Sequence, residues 1–200
     1  MHHFTRQDLS ARQQYKFISG SIIPRPIAWV TTLAGAVVNL VSSIPGSEPL
    51  MTLAIGRKTP QQPKDTAANL LATGEAVVHI VSADLVEQMN ATAANLPASE
   101  SEVVATQLDL VTSHSVAVPG LAAAKIRFES TVYQHLVIND HTGQAMADLF
   151  VLRVSDFYFA DEVFDATHDY ILPAALKPVA RLAGAEYAEL GPTYQLTRPQ

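Results

Sequence analysis

The chain has 200 residues, 48% hydrophobic and 16% charged, a balance that excludes a disordered chain and leaves more apolar surface than one barrel core hides. A net charge of −6, from 13 basic and 19 acidic residues with no basic run longer than two, gives neither the electrostatic footprint of a nucleic-acid binder nor a polybasic face for anionic lipid. With no cysteine, disulfides, thiolate metal sites, Fe–S clusters and cysteine nucleophiles are excluded, and redox chemistry requires a bound organic cofactor.

Met1 to Ser10 are polar and lack the apolar core of a signal peptide, and no run approaches the roughly eighteen apolar residues of a membrane span. A soluble, cytoplasmic protein is the expectation. Residues 6–19 are predicted helical: Leu9, Tyr15, Phe17 and Ile18 give a loose apolar face, and Gly20 ends it. Pro24 and Pro26 bracket Arg25 and predict a rigid extended entry. Residues 27–32 and 37–43 read as a hairpin about the turn Ala34-Gly35, and residues 50–56 as a third strand after Pro45-Gly46. Asp65 or Thr66 is placed to cap a helix that ends at Gly74. Residues 76–81 form a fourth strand, and Asp84 caps a helix over roughly 85–95. Residues 97–124, with Pro97, Pro119 and Gly120, predict only short helical pieces. A long strand over 125–138 turns at 139–143 into its partner at 145–159. The tail from Phe164 predicts helical pieces among Pro173, Pro178 and Pro192. No repeat or linker interrupts the chain, so residues 1–200 read as one domain, with a C-terminal extension over about 164–200. Six or seven strands with helical insertions predict a mainly β protein, a closed or partly closed barrel.

Hydrolase, zinc-protease, P-loop and dinucleotide fingerprints are all absent. The seven histidines are scattered, His79 in mid-strand and His135 and His141 near a hairpin turn, and no metal site is expected. The informative stretch is Ser21–Thr66. Thr31, Thr32, Ser42 and Ser43 supply hydroxyls and Asn39 an amide, a set that suits the alternating donors and acceptors of a flavin pyrimidine edge. Arg57, Lys58 and Lys64 follow, and Lys64-Asp65-Thr66 opens a helix whose free N–H groups attract phosphate. Each residue also has a plainer reading. The threonines satisfy local backbone, Asn39 decorates a hairpin, Asp65 caps its own helix, Arg57 and Lys58 are solvated, and Arg25 is a structural ion-pair partner.

Ile23-Pro24-Arg25-Pro26-Ile27-Ala28-Trp29-Val30-Thr31-Thr32 resembles the opening strand of the flavin reductase-like, FMN-binding split-barrel family. Gly35 with Val38-Asn39-Leu40-Val41-Ser42-Ser43 resembles its second strand, and Glu48-Pro49-Leu50-Met51 its approach to the third. Lys64-Asp65-Thr66-Ala67-Ala68-Asn69 resembles its helix start, Glu87 to Thr92 a later helix, and Leu176 to Gly184 with Tyr187 its closing segment. The chain departs from that pattern at Ala183, at His79, and at Ile44-Pro45-Gly46. The resemblance implies a split barrel of antiparallel Greek-key type and a homodimer with FMN at or near the interface. It implies a flavin reductase passing hydride from NADH or NADPH to flavin N5, with no catalytic side chain required. The phosphate would lie near Arg57, Lys58, Lys64 and Thr66, and the ring against Thr31, Thr32, Asn39, Ser42 and Ser43, with Arg25 a further contact. An FMN electron carrier reduced by a protein partner, or serving an electron-accepting one, and a non-redox ligand-binding barrel stand as alternatives.

Overall fold

The computed structural model describes residues 2–33, 35–93 and 102–197. Six antiparallel strands close into a barrel: β1 (Arg25–Thr32), β2 (Gly35–Ile44), β3 (Leu50–Gly56), β4 (Glu75–Ile80), and two long strands that follow further along the chain at Ile126–Asn139 and Ala145–Phe159. Going round, β1 pairs β2, β2 pairs β3, β3 pairs the 145–159 strand, that strand pairs the 126–139 strand, and the latter pairs β4, which returns to β1. Closure leaves no open edge among these six.

Strand alternation separates two apolar layers. Ala28 and Val30 of β1 point inward with Met51, Leu53 and Ile55 of β3, Val78 of β4, and Phe150, Leu152 and Val154. Helix α2 (Asp65–Thr73) adds Ala67 and Leu70 to this interior, and its Asn69 donates to the Thr32 hydroxyl at 3.0 Å. The helix therefore plugs the barrel at the end where β1 finishes. The alternate residues Ile27 and Trp29 point outward, packing with Val81, Leu85, Met89, Val103, Leu121 and Val179. The Trp29 indole donates to the Thr92 hydroxyl at 3.0 Å. Short helices α3 (Val86–Ala91) and α4 (Glu102–Ala105) and the two-strand ribbon β5 (Leu110–Val111) and β6 (Gly120–Leu121) cover this side. With β5 and β6 placed, the long strands are β7 (Ile126–Asn139) and β8 (Ala145–Phe159).

Two buried polar residues fix the outer layer. His79 lies between the Trp29 carbonyl, 2.7 Å from Nδ1, and the Leu121 N–H, which donates to Nε2 at 2.9 Å. The Leu121 bond makes Nε2 the acceptor, so Nδ1 carries the proton and donates to Trp29. Glu129, 2% exposed, accepts from the His114 and Ser115 N–H groups and from the Ser115 hydroxyl, which anchors the loop before β6.

The six barrel strands fall where the sequence predicts them, within about two residues at each end. Elsewhere the structure differs. The N-terminal helix splits into a turn at Arg6–Asp8 and α1 (Ala11–Ser21), which runs one residue past Gly20. Lys64, not Asp65 or Thr66, is the N-cap of α2. Ala83–Leu85 is a single 3-10 turn, so Asp84 lies inside it rather than capping a long helix. Residues 94–95 of that predicted helix, Pro97 and the Ala34 half of the predicted turn lie outside the described residues. The 97–124 region carries the β5–β6 ribbon as well as a helix. The tail is more strand than helix: β9 (Phe164–Asp165) pairs β10 (Tyr170–Ile171), α5 covers Pro173–Leu176, and β11 (Val179–Arg181) pairs both β12 (Tyr187–Glu189) and β1. Two- and three-residue strands hold through their partners, and no local periodicity announces them.

Among the described residues, no helix is long and apolar enough to cross a membrane.

Candidate functional site

Strand register sorts the predicted site residues between the two ends of the barrel. Trp29 faces Val38 and Ile27 faces Leu40, so β2 runs from the plugged end at Gly35 to the far end at Ile44. Thr31, Thr32, Arg57, Lys58, Lys64 and Thr66 gather at the plugged end. Arg25, Ser42 and Ser43 lie at the far end, about 20 Å away along the strands, and Asn39 lies between.

At the plugged end, Lys64 is exposed, and no side chain caps the helix that begins after it. The first helical hydrogen bond is Ala68 N–H to the Lys64 carbonyl, so the N–H groups of Asp65, Thr66 and Ala67 precede the ladder. Lys58 pairs with Asp65 at 2.8 Å on the surface. Arg57 is turned away from this helix start. It binds both oxygens of Asp148 at 2.9 and 2.7 Å and donates to the Pro60 carbonyl at 2.9 Å. Asp148 is fully buried, and His135, stacked on Phe150, approaches it at 2.9 Å. Burial acts to raise the Asp148 pKa, but Arg57 and His135 outweigh it and hold the carboxyl below its ordinary value. Nothing in the sequence patterning singled out Asp148; the available signal was one acid inside the apolar run 145–154, opposite Ile55.

Thr31 is buried and donates to the Pro119 carbonyl at 2.8 Å. Thr32 is buried under α2, and Thr66 is buried within it. These three hydroxyls line the packing of the plugged end. Arg25 faces Arg181 across the β1–β11 pair and donates to the Leu182 carbonyl.

The outward residues of β2 and β3 form a lane between the two ends. Ser42 lies beside Thr52, and the outward row Thr52, Ala54, Gly56 leads to Arg57 and the loop that carries Lys58 and Lys64. Ala54 and Gly56 are exposed and small, so the lane is shallow and flat. The exposed faces of β7 and β8, with Tyr133, Leu136, Val137 and Met146, lie on the same pair of long strands that flanks it. Ser43 and Asn39 pair with the inward-facing Met51 and Ala28, so both lie on the other face of β2, toward the barrel interior and off the lane. Among the described residues, no group of three or more His, Asp or Glu side chains converges as a metal site would require.

Residues 19–175 match the family model described as flavin reductase like domain. Uncharacterized protein YwrF of Bacillus subtilis is 43% identical over all of both chains. Nitrilotriacetate monooxygenase component B from Bacillus cereus is 34% identical, with a TM-score of 0.91 over 98% of each chain. A split-barrel structure from Shewanella frigidimarina, 19% identical over the full length of both chains with a TM-score of 0.80, shows the same fold.

Proposed function

The chain belongs to the flavin reductase-like family, and from that premise we propose that it binds FMN and transfers hydride to it from NADH or NADPH. The observation that carries this reading is the start of α2, where Lys64 and three N–H groups outside the helical ladder stand at one end of the small-residue lane. Amide donors and a lysine at a helix N-terminus fit a phosphate dianion. The flat lane running from it fits the body of a flavin, with Ser42 nearest the ring's polar edge. Bound there, the flavin would supply the hydride-accepting centre at N5.

The chain's own residues bind and position. Asp148 fixes Arg57, and Arg57 fixes the Pro60 carbonyl, so the loop between β3 and α2 is held before any ligand arrives. The exposed apolar residues of the β7–β8 hairpin support a homodimer that covers the lane and shields the ring from water, with the flavin at or near the interface. An electron-accepting partner would then use the reduced flavin. The chain is read as cytoplasmic.

The test is anaerobic mixing of the FMN-loaded protein with NADH and, separately, with NADPH, following the flavin absorbance. Rapid bleaching by one nucleotide is expected. A protein that holds FMN but is reduced by neither would be an electron carrier. One that takes up no flavin would leave only the non-redox barrel.

A further inference from the structure

The barrel end opposite α2 is open. A cavity of about 320 Å³ enters the interior there, lined by Met51, Val78, Phe128, Val154 and Phe157, with the exposed residues Ser43 and Glu48 also bordering it. It lies inside the barrel, whereas the lane proposed for FMN runs along the outside, and the β2 alternation puts Ser43 and Ser42 on opposite faces.

A local device shapes it. The β7–β8 register shifts between Glu129 and Ser130, which leaves one extra residue on β8 and pairs Phe128 with Phe157. A bulge re-aims the side chains that follow it. Phe157 thereby enters the cavity wall edge-on to Phe128, their centroids 5.6 Å apart with the rings at 75°. Phe157 is nevertheless half exposed, an open aromatic wall rather than a packed core residue.

The lining chemistry restricts the ligand. Lysine, arginine and histidine are absent from the wall. The one ionised group is Glu48, paired to Arg153 at 3.0 Å. A phosphate or carboxylate therefore finds no cation on the apolar wall and would have to shed its water there unpaired, which disfavours dinucleotides and other anions. An apolar cavity of about 150 Å³ admits one benzene ring, so this one has room for a substituted or fused ring. We propose that the barrel mouth is a second binding site, specific for an uncharged aromatic molecule of one or two rings whose polar substituent meets Ser43.

The probes are 2-naphthol and 2-naphthoate, which share a ring system and differ in charge. The full-length protein, loaded with FMN and again without it, is labelled at the methionine methyl groups and titrated by NMR. Expected is a saturable shift of Met51, which lines the mouth, by 2-naphthol, with Met89 of the outer layer and Met146 of the hairpin unmoved. The naphthoate should bind at least about tenfold more weakly. Phe157→Ala, which removes the half-exposed aromatic wall on β8, away from the β2–β3 lane, should weaken naphthol binding at least about tenfold and leave FMN affinity unchanged. An unmoved Met51, equal binding of the two probes, or full naphthol affinity in Phe157→Ala would each overturn the proposal. The titration without FMN reads the mouth alone, so a failure to bind flavin leaves it interpretable.

Discussion

The two ends of the barrel share six strands but are finished in opposite ways. At one end α2 inserts Ala67 and Leu70, and a buried Asp148–Arg57 pair straps down the loop that leads to the helix. At the other, two phenylalanines stand around an open apolar mouth, and α5 packs Leu176 with Ile80 and Phe128 of its wall. The contrast teaches where a closed barrel has freedom. Its wall is fixed by strand pairing and alternation, so chemical character is set by what the connections place over each end. A loop and a helix start bring charge to one end, while the β2–β3 loop at the other borders an apolar mouth with a single ion pair, Glu48–Arg153, at its edge.

The strongest way to break the contrast is to remove the strap. Asp148→Leu leaves Arg57 desolvated without its carboxylate, and loss of one partner from a buried pair costs about 3–5 kcal/mol. Urea unfolding followed by the fluorescence of the single tryptophan, buried Trp29, measures this. Mouth binding of 2-naphthol should survive at temperatures where the variant stays folded, because Asp148 lies at the other end. A variant as stable as the parent would mean that the loop is held without the pair.

Acid should act on the outer layer before either end. Burial, opposed only by the bond to Trp29, drops the His79 imidazole from 6.5 to about 4. Between those values the unfolded chain takes up a proton that the folded chain refuses, so stability falls as pH drops through that window and levels off below it. The full loss approaches about 3 kcal/mol. Glu129 acts lower. Burial raises its pKa, but the Ser115 and His114 donors and Tyr158 outweigh that and hold it at about 2, so its contribution is lost as pH falls from 4.5 toward 2. Stability measured at half-unit pH steps separates the two windows. His79→Asn should flatten only the upper one, and an unchanged upper slope would mean another group titrates there.

At the anion end, Lys64→Glu should weaken FMN binding by about 1–3 kcal/mol, since it removes one charge-assisted contact and adds repulsion. Riboflavin, which lacks the phosphate, is the control, and titration calorimetry reads both. Equal weakening of the two ligands would place Lys64 away from the phosphate.

The six strands were legible because β-branched and aromatic runs alternate over whole strand lengths and are punctuated by Gly and Pro. The family was legible because several short motifs occur in order. What escaped was long-range. Arg57 reads in sequence as a phosphate contact or, more plainly, a solvated cation, and only the β3–β8 register brings it to Asp148, ninety-one positions away. Thr31, Thr32 and Thr66 read as ligand hydroxyls, and only the packing of α2 and the Pro119 loop shows them buried. The mouth depends on a one-residue bulge, which leaves no mark in composition or period.

The smallest expected effect makes the sharpest distinction at the charged end. Lys58 and Asp65 form a surface pair, both largely exposed, and such pairs contribute under about 1 kcal/mol to stability. Lys58→Ala should therefore hardly move the unfolding midpoint. It should still reduce FMN affinity, and two causes are separable. If Lys58 touches the phosphate, its loss is irrecoverable. If Lys58 serves to neutralise Asp65, its loss leaves a bare carboxylate in the first turn of α2, next to the proposed phosphate position. Removing that carboxylate as well should then restore binding. The structure favours the second course, because both Asp65 oxygens accept from the Lys58 ammonium, at 2.8 and 2.9 Å, which directs that charge at the helix rather than outward. FMN titration of Lys58→Ala against the double variant Lys58→Ala/Asp65→Ala decides it: recovery in the double variant makes Lys58 a shield, and no recovery makes it a ligand.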